Sequence, residues 1–246
     1  MSSSALVNKS DTYITTHLGL GDHILCNGLY RNIAKRSRRC FLPVRESNLQ
    51  SLNDMLYDVN NIELISYPAS FEKQLIESHV SYLTEQGVNI LNLGYFGKNF
   101  MDYRRLRFDE NFYHQADVPF SERWDGFYYP RNLAREDELF TNLGCNEGPY
   151  IFLHEDVTRN FTINRKYIDP SIRIIEPNPH VEASNFFNYR KVFENAQEIH
   201  VIESSFCAFI ESLNLPLKKF AHRYARPEAS GDYCHEFTYK SDWMVY

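Results

Sequence analysis

Strand-like and helix-like segments alternate from residue 11 to residue 93, and this alternation constrains the fold more than any other feature. Asp11 to His17 (DTYITTH) is β-branched and aromatic, and the glycines of LGLGD follow it. Ile24, Leu25, Leu29 and Ile33 then recur at helical spacing between Asp22 and about Lys35. Further strands are expected at Cys40 to Val44, Ile62 to Tyr67 and Val88 to Leu93, with helices at Glu46 to Tyr57 and Ser70 to Gln86. Strands joined by helical crossovers pair in parallel, so these βα units predict a mostly parallel sheet covered by helices.

Residues 94–148 are irregular, with helices expected near Phe120 to Trp124 and Arg131 to Leu143, and NLGCNEG (142–148) forms a turn-rich boundary. Strands resume at Tyr150 to His154, Ile172 to Ile175, Ile199 to Ile202 and near Phe220, with helices at Ala183 to Asn195 and Ser205 to Leu213. The predicted fold class is α/β: two Rossmann-like lobes with parallel sheets, an N-terminal lobe over 1–147 and a C-terminal lobe over 148–246, facing each other across a cleft.

With 246 residues, 43% of them hydrophobic, the chain is long enough for one large core or two small ones. The net charge of −6 is spread over both halves, so no basic region for nucleic acid is present. No apolar run reaches the roughly 18 to 20 residues of a membrane span. The polar start, Met1 to Asp11, lacks an apolar leader, which predicts a cytoplasmic protein. Five cysteines (Cys26, Cys40, Cys145, Cys207, Cys234) without a CxxC fit reduced thiols better than a disulfide frame or zinc site.

Three junctions carry candidate chemistry. In His17-Leu18-Gly19-Leu20-Gly21-Asp22-His23 a strand runs through two glycines into a helix, where free N–H groups face the carboxyl edge of the sheet and attract anionic ligands. Ile24 stands where the dinucleotide fingerprint needs its third glycine, and GxxxxGK[ST] is absent. Asp22 reads as a helix N-cap, as a general base toward an attacking hydroxyl, or as both. His17 and His23 flank it as candidates to orient a substrate. In Ile202-Glu203-Ser204-Ser205 a buried strand meets a helix, with hydroxyls and amides suited to phosphate oxygens and a carboxylate suited to sugar hydroxyls; the bland alternative is a serine N-cap.

The third junction is YIFLHEDVTR (150–159), where a strand ends in a polar loop. Arg159 and Arg165 compete as diphosphate clamps. His154, Glu155 and Asp156 are consecutive and point in different directions, so no metal site is expected. Glu176-Pro177-Asn178-Pro179-His180 walls a base pocket or is an ordinary turn. The aromatics of 94–148 (Tyr95, Phe96, Phe100, Tyr103, Phe112, Tyr113, Phe127, Tyr128, Tyr129) stack on sugar rings or pack the core.

GLGDHILCNGLYRNIAK resembles the N-terminal glycine-aspartate motif of GT-B glycosyltransferases of the ADP-heptose:lipopolysaccharide heptosyltransferase type. FNYRKVFENAQEIHVIESSFCAFIESL resembles the nucleotide-binding segment of GT-B enzymes, fucosyltransferase-like ones included. The resemblance implies that Asp22 is the base, with His23 beside it. It implies that Glu203, Ser204 and Ser205 lie against the ribose and phosphates and that Arg159 is the phosphate clamp; together with Gly19, Gly21, His154 and Glu176 from the three junctions these make the candidate nucleotide-sugar site. The chain is shorter than is usual for this fold, ESSF replaces the heptosyltransferase DSG–H, and no lysine stands opposite the glycine loop. The expected activity is sugar transfer from a nucleotide-sugar to a glycan or other hydroxyl acceptor, inverting, with no bound cofactor and no obligatory metal. The alternatives are a nucleotide-sugar epimerase or hydrolase of the same fold, and a non-catalytic nucleotide or sugar-phosphate-binding module.

Overall fold

A computed structural model of the chain describes residues 9–94, 106–182, 184–226 and 238–246. The β-branched run after Asp11 forms β1 (Thr12–Thr15), buried throughout. It pairs in parallel with β2 (Cys40–Arg45) on one side and β4 (Asn89–Asn92) on the other, and β3 (Ile62–Tyr67) pairs in parallel with β2. The order β3-β2-β1-β4 makes β1 central, which is why it carries no alternation of buried and exposed residues.

The helix expected over 22–35 is two helices, α1 (Leu20–Leu25) and α2 (Asn27–Arg36), with Cys26 between them. The break has a tertiary cause. Asn27 exchanges two hydrogen bonds with the Tyr128 backbone, Nδ2 to the carbonyl and Oδ1 from the amide, both 3.0 Å. Gly28 also lies so close to α6 (Glu122–Asp125) that a Cβ there would sit 1.9 Å from the Glu122 carbonyl oxygen. The later crossovers are α3 (Leu49–Leu56) and α4 (Glu72–Glu85). α5 (Phe108–Gln115) was not expected from the sequence.

The second sheet is wholly parallel, in the order β6-β5-β7-β8-β9: β5 (Tyr150–His154), β6 (Arg173–Ile175), β7 (Glu198–Val201), β8 (Lys218–Ala221) and β9 (Met244–Val245). The helix expected from Ala183, which lies outside the described residues, is a 3-10 turn at Phe186–Tyr189 followed by α8 (Arg190–Glu194). α7 (Leu133–Asn142) lies upstream of the expected boundary at 147/148, yet it packs with the second sheet's helices. Lys191 Nζ bonds Asp137 at 2.6 Å, and Phe140 meets the Tyr150 ring at 6.5 Å.

One apolar core runs through both sheets, from Ile14, Ile24 and Leu29 to Phe152, Phe206 and Phe209. Polar ties add to it. Asp109 and Arg123, both fully buried, form an ion pair, and Thr238 donates to Asp109 through its amide (3.1 Å) and hydroxyl (2.9 Å). Glu211, buried on α9 (Ser205–Leu213), accepts from Trp124 Nε1 (2.9 Å), Trp243 Nε1 (2.7 Å), the Lys240 amide (2.6 Å) and Ser241 Oγ (2.6 Å). Cys26, Cys40, Cys145 and Cys207 are buried free thiols; Cys234 lies outside the described residues. No described helix is long and apolar enough to cross a membrane.

Candidate active site

In parallel α/β sheets ligands bind beyond the carboxyl ends of the strands, where the strand order reverses. In the first sheet that point lies between β1 and β4, at the loop leading to α1; in the second it lies between β5 and β7, at His154 and the junction leading to α9. The two points meet. A Cβ on Gly21 would lie 3.4 Å from Ser205 Cα, so the start of α1 and the start of α9 are within one side chain of each other.

Gly19 flanks α1 as its N-cap in an extended conformation (φ −67°, ψ 140°), so it is not needed for a left-handed turn. It makes room instead, since a Cβ there would sit 2.5 Å from Asp22 Oδ2. Asn48 steadies the loop by donating to the Leu18 carbonyl at 2.9 Å. Asp22 is the third residue of α1 rather than its N-cap, and its carboxylate accepts from the Gly19 amide and its own, the carboxylate half of a capping box. Desolvation pushes its pKa up to about 7, against the pull of Arg226, the Gly19 N–H and Arg45.

His23 does not share this crevice. One residue further round the helix, it is fully buried, with Nδ1 3.0 Å from the Tyr30 hydroxyl. Burial, with the charges of Arg45 and His17, lowers its pKa to about 3 and keeps the ring neutral. Its expected catalytic role is corrected to a core position. His17 packs its ring on Phe112 at 5.3 Å.

Across the crevice Ser204 caps α9. Its Oγ accepts from the Cys207 amide at 3.5 Å and lies 3.1 Å from His154 Nδ1, joining β5 to the helix start. The amides of Ser205 and Phe206, in the first turn, have no acceptor within the helix. Burial lowers the His154 pKa to about 4, and its ring packs on Phe206 at 4.7 Å. Glu203 departs from expectation. At 1% exposure it does not reach out to sugar hydroxyls, and its Oε1 accepts from Arg223 Nε (3.1 Å) and the Tyr239 hydroxyl (3.0 Å). Its backbone carbonyl accepts from Arg226 Nη1 at 2.6 Å.

No protein-family model matches the sequence, and no curated protein matches it. Solved structures do. A glycosyl transferase of family 9 from Veillonella parvula aligns over 96% of this chain and 86% of that one, with a TM-score of 0.60 at 10% identity. The iron-containing dodecameric glycosyltransferase TibC of enterotoxigenic Escherichia coli aligns over 94% of this chain and 61% of its own, with a TM-score of 0.50 at 11% identity. E. coli heptosyltransferase WaaC, solved with ADP-2-deoxy-2-fluoro heptose, aligns over 96% and 92% at a TM-score of 0.46 and 14% identity. The chain has the GT-B fold.

Within that fold the arginines sort differently from the expectation. Arg159 donates to Asp156 at 2.6 Å and lies over the Phe161 ring. Arg165 grips both Glu155 oxygens, at 2.7 and 2.9 Å, and reaches Glu176 at 3.8 Å. Neither presents an uncompensated charge, and Glu176 is an exposed partner in an ion pair. Arg223 and Arg226, in the HRYAR stretch after β8, were not singled out from sequence; only their contact with the Glu203 junction identifies them. Of the candidate stacking aromatics, Phe112, Tyr113 and Tyr129 are core residues, Tyr128 is exposed, and Tyr95, Phe96, Phe100 and Tyr103 lie outside the described residues. Among the described residues, no three His, Cys, Asp or Glu side chains cluster as metal ligands do.

Proposed function

We propose that the protein is a glycosyltransferase that moves a sugar from a nucleotide-sugar donor to a hydroxyl acceptor with inversion. The observation that carries this reading is the Asp22 carboxyl in the first turn of α1, next to the point where Gly21 approaches Ser205 at the start of α9, with desolvation holding its pKa at about 7. A base poised near neutral pH both accepts a proton and remains deprotonated often enough to act. In this reading the acceptor hydroxyl gives its proton to Asp22 as its oxygen bonds to the anomeric carbon from the face opposite the leaving group. The bond from that carbon to the diphosphate oxygen breaks, and its electron pair leaves with the diphosphate. The developing charge meets the first-turn amides of α9 and the Ser204 and Ser205 hydroxyls rather than an obligatory metal.

The fold shared with the Veillonella parvula family 9 glycosyl transferase supports the reaction class. Asp22's bond back to the Gly19 amide favours a second reading, a non-catalytic nucleotide or sugar-phosphate-binding module in which the carboxylate only closes a helix turn. Asp22→Asn separates the two. An enzyme loses turnover by about 10²- to 10⁴-fold with nucleotide binding retained, whereas a module shows no turnover to lose. Melting curves with ADP, GDP, UDP and CDP, with and without EDTA, come first. A nucleotide at about 100 times its Kd adds about 2.7 kcal/mol and raises the midpoint by several degrees. The absence of any shift at millimolar concentrations sinks the nucleotide site.

A further inference from the structure

We propose that Arg226 is the cation that receives the leaving diphosphate; this rests on the glycosyltransferase reading and names the residue that its phosphate subsite uses. Four other arginines near the crevice are already neutralised by carboxylates: Arg45 by Glu72, Arg159 by Asp156, Arg165 by Glu155 and Arg223 by Glu203. Arg226 has no carboxylate within ion-pair distance among the described residues. Its Nη1 is anchored on the Glu203 carbonyl at 2.6 Å, one residue before the α9 N-cap. Its Nε is shut off from water with no acceptor among the described residues. An arginine fixed at one nitrogen, half-buried and with no counter-charge among the described residues, is suited to receive an anion.

Its position fits the same ligand as the helix. The anchor ties the guanidinium to the residue that directly precedes Ser204 and Ser205 at the start of α9, and its charge is felt by Asp22. The charged and titratable groups acting on or near Asp22 are Arg226, Arg45 from the end of β2, and Cys26 and Tyr30 from the paired helices. Of the two cations, Arg45 is held by both Glu72 oxygens at 2.9 Å, so Arg226 is the one left to answer a new negative charge.

The test is calorimetric titration of ADP, GDP, UDP, CDP and inorganic pyrophosphate into wild type, Arg226→Gln and Arg226→Lys, with melting curves to confirm folding. The diphosphate that binds wild type is expected to bind Arg226→Gln about 10- to 100-fold more weakly, and Arg226→Lys to fall between. The pH at which activity rises should also move upward in Arg226→Gln, because the guanidinium favours the Asp22 carboxylate; a merely structural role would leave it in place. Wild type that binds while Arg226→Gln binds equally well overturns this proposal alone. Wild type that binds none of the five overturns the glycosyltransferase reading and this proposal together. Should Arg226→Gln not fold, Arg226→Met decides: it keeps the apolar stem but removes the charge, and undiminished binding overturns the proposal.

Discussion

Asp22 carries opposite demands on stability and chemistry. Its folded pKa of about 7 lies above the ordinary 3.8, so between those values the folded chain binds more protons than the unfolded one. The stability it contributes is therefore complete below about pH 4 and declines as pH rises through 7, where a desolvated carboxylate must be held charged. Asp22→Asn should accordingly melt higher than wild type at pH 8, by on the order of a few kcal/mol in unfolding free energy, and about equally at pH 4. Paired melting curves at the two pH values check the sign. In turnover the direction reverses: activity rises with pH through about 7 as the base loses its proton, and a pH–rate profile flat between 6 and 8 would remove Asp22 from that role. Its position was legible in the sequence because a strand, two glycines and a carboxylate mark the start of a helix at the sheet's carboxyl edge. Its neighbour was not, because flanking position says nothing of which way round the helix His23 turns.

At the scale of elements, local signals gave true boundaries where local chemistry sets them. α9 begins at Ser205 and ends at Leu213 as read, because Ser204 caps it and an apolar run fills it. The α1 and α2 pair read as one helix because their periodicity is continuous, and the break comes from Tyr128, a hundred residues away in sequence. β9 has two residues, too few to show a period, and Glu203 looked like a ligand because its partners Arg223 and Tyr239 lie in distant segments. The close crossing of α2 and α6 makes a sharp prediction. Gly28→Ala would drive a methyl into the Glu122 carbonyl and should cost about 1–3 kcal/mol or more, read as a drop of several degrees in melting temperature with the far-ultraviolet spectrum retained. Gly21→Ala meets Ser205 at ordinary contact distance and should be milder, while Gly21→Leu should wedge α1 from α9 and weaken nucleotide binding.

The two sheets share one apolar core, and the C-terminal stretch returns across them, so the molecule should unfold in a single calorimetric transition rather than lobe by lobe. Glu211 sits at that return. Glu211→Ala leaves two indoles, two amides and a hydroxyl without their acceptor and should cost about 3–5 kcal/mol, measured by denaturant titration. The chain has two tryptophans in all, and both indoles donate to this one carboxylate. Its tryptophan emission, excited selectively over the 17 tyrosines, therefore comes from a single spot, where α6, α9 and the returning C-terminal stretch are pinned together. Light from the unlabelled protein thus reports whether that pin is closed, and a nucleotide that loosens or tightens the seam between the lobes will be seen without attaching any dye.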